Sequence, residues 1–204
     1  MQKSSIVRVA IDNSIVNWKT SQGRDIKIQD DYEKHNDFVA IERLFQLQEQ
    51  GNVVLVAVDQ IDREARKTSN ASRRIELLNT LYLCKEKFFL TRFETSTSSK
   101  KALQASGKSG INLGQGAYWI TEDNVRRINE YIAAGQTTEE KVDLEVLATV
   151  AIAGVRLFMT VDNHLLANTK IREFIKRKDG IQIYHPSEIL KLVDITSPKK
   201  LDMT

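Results

Sequence analysis

TTEEKVDLEVLATVAIAGVRLFMTVDNHLL, residues 137 to 166, reads as a helix, a turn and a strand with an acid near each end. Thr137 is placed to cap the helix, and Glu140, three residues on, to return the bond as a capping box. Val142, Val146 and Val150 form one apolar row, with Leu147 and Ala151 beside it. Gly154 ends the helix, and Val155 to Thr160 is a short, mostly apolar strand. A helix running into a parallel strand lies antiparallel to it. Its first turn, which carries Asp143, therefore sits near the strand's carboxyl end, and Asp162 follows that end. This is the edge where open α/β sheets bind ligands. Taken singly, Asp143 also suits the positive end of a helix dipole, and Asp162 suits a turn.

The same alternation runs through the rest of the chain. Ile6 to Ile11 is a buried first strand, followed by Asp12-Asn13-Ser14. Residues 19 to 36 are polar and read as a loop or small hairpin. A helix spans Asp37 to Gln50, with Phe38, Ile41, Leu44, Phe45 and Leu47 on its apolar face and Gly51 as its stop. Val53 to Val58 is apolar throughout, as expected of a strand covered on both faces. Asp59 caps the next helix, Glu64 lies a turn and a half in, and that helix runs to Leu83. It carries Arg63, Arg66, Lys67, Arg73 and Arg74 outward, with Ile75, Leu78, Leu81 and Tyr82 partly inward. Phe88 to Phe93 is a further strand, and residues 94 to 116, rich in Ser, Gly and Lys, form a long loop. Helices follow at Thr121 to Ala134 and Ile171 to Arg177, a last strand at Ile181 to Tyr184, and a terminal helix at Pro186 to Val193 with Ser187 as its cap. Strands followed repeatedly by helices imply an α/β fold: a mostly parallel sheet flanked by helices on both faces. The expectation is one domain over residues 1 to 204, with a basic, loop-rich insertion at about 85 to 136.

Composition narrows the partners. The single cysteine, Cys84, excludes an internal disulfide framework and suits a reducing cytosol. The start, MQKSSIVRVAIDNS, has no long apolar run, and no segment approaches the roughly 18 apolar residues of a membrane helix. A cytoplasmic protein with no membrane partner is therefore expected. Net charge is only +3, but Arg63 to Lys108 holds 11 Lys or Arg against 4 Asp or Glu, a local excess of +7 that leaves −4 for the remainder. A basic flank beside an acidic centre suits a polyanion. The GKSG at 107 to 110 lacks the first glycine of a phosphate-binding loop, since Ala102 stands there.

Asp12, Glu64, Asp143 and Asp162 all fall at carboxyl ends of strands or at the starts of adjoining helices. Four gathered carboxylates repel and push one another toward the neutral form. A hard divalent cation relieves that repulsion, and Mg²⁺ and Mn²⁺ prefer oxygen ligands. His35, His164 and His185 are scattered with no helical pairing, so zinc is not expected. No G-x-S-x-G elbow occurs.

The pattern resembles the PIN-domain family of metal-dependent ribonucleases. VAIDNS matches the family's strand-Asp-x-[Asn/Ser] opening, with Asp12 and Ser14. VAVDQIDRE matches its second acid on the helix after the second strand, with Glu64. DLEVLATVAIAGVRLFMTVD matches its hallmark helix, glycine, strand and Thr-x-Asp, with Asp143, Gly154, Thr160 and Asp162. IQIYHPSEILKL resembles its closing strand and helix. The resemblance covers most of residues 6 to 60 and 137 to 193. Two features depart from it: the segment from Cys84 to Gln136 is longer than in compact members, and the strand before Thr160 is slightly long.

That likeness implies a PIN-like Mg²⁺- or Mn²⁺-dependent endoribonuclease that leaves a 5′-phosphate and a 3′-hydroxyl. Asp12, Asp143 and Asp162 would hold the metal, and Glu64 would ligate it or position water. Asp62 and Asp59 stay open as the second acid, and Glu140 could face the same edge. Ser14, Thr160 and Asn163 would support by hydrogen bonding. Arg63, Arg66, Lys67, Arg73, Arg74, Lys100, Lys101 and Lys108 would grip the RNA. If the enzyme is a toxin, a protein antitoxin would block the acidic edge, and a homodimer is compatible with the likeness. The rival expectation is a non-catalytic nucleic-acid-binding or scaffold module of the same fold. An aspartyl-phosphate phosphatase would want Asp-x-Asp after the first strand, where the third residue here is Ser14.

Overall fold

The computed structural model describes residues 6–20, 32–91, 117–119 and 121–196. Six strands, β1 (Val7–Ile11), β2 (Val53–Val58), β3 (Glu86–Thr91), β4 (Ala117–Trp119), β5 (Leu157–Met159) and β6 (Gln182–Tyr184), form one sheet in the order β4-β3-β2-β1-β5-β6. Every pairing is parallel: Val9 sits opposite Leu55 on one side and opposite Leu157 on the other. The α/β reading with a parallel sheet therefore holds. The helices are α1 (Asn13–Lys19), α2 (Tyr32–Glu49), α3 (Asp59–Lys67), α4 (Ala71–Leu83), α5 (Glu122–Ala134), α6 (Thr138–Ile152), α7 (Asn163–Ala167), α8 (Thr169–Asp179) and α9 (Pro186–Thr196).

The strand order dictates the layers. From β1 to β4 the chain steps one way along the sheet, and then it returns to the far side of β1 for β5 and β6. Right-handed crossovers put helices of opposite travel on opposite faces. Accordingly α2 packs with α1 and α9, and α1 with α4, while α6 packs with α5 and α8 on the other side. The central strands are buried on both faces: Val9, Ala10, Ile11, Leu55, Val56 and Val58 are fully covered. One continuous core joins them to Leu144 and Leu147 of α6 and to Ile41 and Leu44 of α2.

Local chemistry accounts for the helix ends. Thr137 accepts from Glu140 N–H at 3.1 Å, and Glu140 Oε2 accepts from Thr137 N–H at 3.2 Å, completing the capping box at the start of α6. Gly154, at φ +70°, ends that helix in a left-handed conformation that only glycine adopts without strain. Gly51, at φ +80°, does the same after α2. Thr137→Ala is expected to cost about 1 kcal/mol in urea unfolding, the usual worth of an N-cap hydroxyl.

Several boundaries differ from the pattern reading. The helix expected over residues 59 to 83 is two helices. Thr68 leaves the helix at ψ 120°, and Asn70 restarts it by accepting from Arg73 N–H at 2.9 Å. The restart rotates the apolar face, so Ile75 and Tyr82, expected partly inward, are 58% and 56% exposed while Leu77 and Leu81 are buried. Helix α2 begins at Tyr32 rather than near Asp37, because its first turn is polar and carries no apolar period to read. Val142, expected in the buried row, is exposed, since α6 emerges from the core at that end. Asp59 is the first residue of α3, and Val58 stands at the cap position in its place. Ser187 lies inside α9, and its N–H donates to Asp37 Oδ1 of α2 at 3.1 Å, so a distant carboxylate does the capping. Strand β4, only three residues long, is not among the expected elements; with β3 and α5 it gives parts of the expected 85–136 insertion regular structure. The loop assigned to residues 94 to 116 lies outside the described residues. Among the described residues no helix is long and apolar enough to cross a membrane.

Candidate acidic site

The direction of travel reverses between β1 and β5, and such a switch point leaves a crevice beyond the carboxyl ends of the two strands. Asp12 directly follows β1 and Asp162 lies three residues after Met159, the end of β5. The strands are tied there by Asp12 N–H donating to Met159 O at 3.0 Å. Asp12 Oδ2 accepts from Ser14 Oγ–H at 2.6 Å and from Thr160 Oγ1–H at 2.7 Å. Each hydroxyl spends its one proton on that oxygen, so the 3.1 Å approach between the two hydroxyls carries no donated bond. The hydroxyl oxygens in turn accept backbone N–H groups, Val161 onto Ser14 at 3.2 Å and Asp162 onto Thr160 at 3.0 Å. This lattice fixes Asp12 against the start of the β5–α7 turn. Asp162 caps α7 by accepting from His164 N–H at 2.8 Å.

Glu64 and Asp143 reach the same edge from helices. Asp143 belongs to the second turn of α6, since Thr138 begins that helix, and not to the first turn as expected. Burial raises its carboxyl to about 6, and the negative charges of Asp12, Asp162 and Glu64 push in the same direction against the opposing His164. Glu64 is also raised, first by burial and then by Asp12, with Lys67, Arg63 and a hydrogen bond from Asn13 opposing. The four predicted acids therefore share one field. Among the three candidates for the second acid, Glu64 has a carboxyl that the charge of Asp12 pushes up. Asp62 is held by Arg66 through bonds of 2.5 and 3.2 Å, and Asp59 pairs with Arg63 at 3.3 Å. Glu140 is used up in the capping box and by Asn168 Nδ2 at 2.9 Å, and its carboxyl is lowered by the backbone N–H groups of Gln136 and Thr137 and by Asn168.

A hard divalent cation fits this donor set in type: oxygen ligands only, with burial and mutual repulsion raising two of the acids. Among the described residues, however, no group of three or more His, Cys, Asp or Glu is gathered to hold an ion. Metal-free protein should carry the repulsion as a pH signature. Asp143 binds its proton more tightly folded than unfolded, so its contribution is complete below the unfolded value near 3.8 and is lost as pH rises through about 6. In EDTA, Asp143→Asn should therefore be more stable than wild type above pH 6, with the difference closing toward pH 4. The full shift would correspond to about 3 kcal/mol, and solvent at this half-buried group reduces the expected gain to about 1 kcal/mol. Urea melts of both proteins from pH 4 to 8 check this.

The basic residues divide. Arg63 pairs with Asp59 and also with Glu145, and Arg66 with Asp62, all at the surface. Such exposed pairs are weak enough to exchange for a phosphate. Lys67 is exposed and makes no ion pair among the described residues. Arg73 and Arg74, expected outward, are half-buried: Arg73 bonds Thr20 Oγ1 and, at 2.6 Å, Asn17 Oδ1, and Arg74 bonds Thr68 O at 3.0 Å. They brace α4 against α1 and its own start. Lys100, Lys101 and Lys108 lie outside the described residues. Asn163 is exposed, and no hydrogen bond among the described residues joins its side chain to the acids.

Two polar residues escaped the sequence reading. Asn13 bonds Glu64 and keeps a buried Oδ1 without a partner among the described residues. It is the open middle position of the Asp-x-Ser pattern, so the motif carries no signal for it. Gln60 donates to Thr149 Oγ1 at 2.6 Å, tying α3 to α6 and so Glu64 to Asp143. Nothing marked it in the sequence, because its burial arises only where the two helices meet. Cys84, raised to about 12 by burial, is an inert core thiol. In comparisons with known proteins, no family model and no curated protein matches this chain.

Proposed function

We propose that the protein is a cytoplasmic endoribonuclease that uses Mg²⁺ or Mn²⁺ to hydrolyse RNA phosphodiester bonds. The reading is supported above all by one arrangement: at the switch point of a parallel sheet, the charges of Asp12, Asp162 and Glu64 act on Asp143, and that of Asp12 acts on Glu64. Asp12, Asp143 and Asp162 are the residues that would hold the cation, with Glu64 beside them. When bound, such a cation supplies a nucleophile at neutral pH and offsets the charge building on a phosphoryl oxygen.

The chain's own groups do the rest. Ser14 and Thr160 commit one oxygen of Asp12 and so restrict how its carboxylate turns. Gln60 sets the distance between the helices bearing Glu64 and Asp143. Asn13 aims Glu64, and the burial and charge that raise it suit a group that accepts a proton from water. Lys67, Arg63 and Arg66 flank Glu64 and are placed to hold phosphates along the strand. A PIN-like fold and a toxin role with a protein antitoxin belong to the same proposal.

Labelled RNA tests it: cleavage should vanish in EDTA and return with added Mg²⁺ or Mn²⁺. Cleavage that persists under chelation would reject the mechanism. A second reading is a binding module with no metal, because among the described residues no group of three or more His, Cys, Asp or Glu is gathered to hold an ion. Such a module would hold RNA equally well after Asp12 and Asp143 are changed to Asn, and its melting temperature would not respond to either cation.

A further inference from the structure

We propose that the outer edge of β6 and the facing side of α8 form a docking groove for an extended, acidic segment of a partner protein, which joins the sheet as an added strand. Among the described residues strand β6 ends the sheet. On its inner side Gln182 N–H donates to Arg156 O at 2.9 Å, and Tyr184 C=O accepts from Thr160 N–H at 3.1 Å. Successive residues of a strand turn their N–H and C=O to opposite edges. Ile183, between these two, therefore turns both groups away from β5 toward the open edge. An edge of this kind is a template for another strand, and sheets capture extended peptides in this way.

The groove beside it has a volume of about 270 Å³ and is walled on the helix side by Thr169, Arg172, Glu173 and Lys176. These four recur at the three- and four-residue spacing of a single helix face. Arg172 donates to Leu166 O at 3.0 Å through one nitrogen and keeps its other donors. Among the described residues neither Arg172 nor Lys176 is ion-paired, and both are exposed. Two cations against the one Glu173 carboxylate select an acidic guest. They also disfavour a second copy of the same edge, which would set basic face against basic face. Because β6 is three residues long, few backbone bonds are on offer, and the two cations must carry much of the selectivity. The proposal is independent of the nuclease reading, since none of these residues belongs to the acidic site.

The test uses the full chain and a fluorescein-labelled synthetic peptide of alternating Val and Glu, read by anisotropy. Expected results are saturable binding, weakening of about tenfold when Arg172→Glu and Lys176→Glu are combined, and tightening with Glu173→Lys. All three substitutions are at exposed positions, and circular dichroism confirms that each variant is folded. N-methylation of alternate peptide nitrogens should abolish binding, and the bound peptide should slow hydrogen exchange at the Ile183 amide. No saturable binding, or binding that survives N-methylation or the charge reversals, overturns the proposal. So does labelled RNA that displaces the peptide and loses affinity in the same variants, because the groove would then serve nucleic acid.

Discussion

Asp143→Asn and Asp12→Asn should each lower Mg²⁺-dependent RNA cleavage by about 10³-fold, roughly 4 kcal/mol of barrier, while leaving the protein folded. An amide keeps the shape of a carboxylate but removes its charge, and the site depends on charge. In Asp143 the change also removes a group that burial and its neighbours already disfavour as an anion, so lost activity cannot be ascribed to unfolding. Mg²⁺ should raise the melting temperature of wild type, since ligand at 100 times its Kd adds about 2.7 kcal/mol, and should leave the Asp143→Asn variant unmoved. Glu140→Gln is the matched control. It lies three residues before Asp143 on the same helix, but its carboxylate serves the capping box and Asn168, so cleavage should stay within a few-fold of wild type. Equal losses at positions 140 and 143 would mean that α6 matters only as a scaffold. Undiminished cleavage by Asp143→Asn would reject the site.

The second large effect is on stability. Phe158→Ala should cost about 3–5 kcal/mol in denaturant unfolding, a large part of the roughly 5–15 kcal/mol that a domain has in total. Phe158 is 1% exposed on β5 and pairs in register with Ala10 of β1 and Ile183 of β6. Its ring therefore fills the core directly beneath the switch point, with Thr160 two residues on. Cation binding should weaken along with stability, because Thr160 orients Asp12 from the end of the same strand. A cost below about 1 kcal/mol would mean that the neighbours collapse into the space, and that β5 is less firmly held than its burial indicates.

What the sequence determined by itself was the set of local pieces and the places of the acids along them. The capping box of Thr137 and Glu140, the stops at Gly51 and Gly154, and the all-apolar run of Val53 to Val58 act within a turn or a strand, so residue type and spacing suffice to read them. The alternation of strand and helix then implied a parallel sheet, and chain direction alone brought Asp12 and Asp162 to one edge. Tertiary structure decided everything that depends on which distant groups meet. It gave Asp62 and Asp59 arginine partners and left Glu64 half-buried under the charge of Asp12. It turned Arg73 inward onto Asn17 and Thr20, restarted a helix at Asn70, and capped α9 with Asp37. A carboxylate or guanidinium looks the same in sequence whether its partner is a metal, a phosphate or another side chain. Only the arrangement of neighbours in space, through burial and charge, sets which of those partners it has.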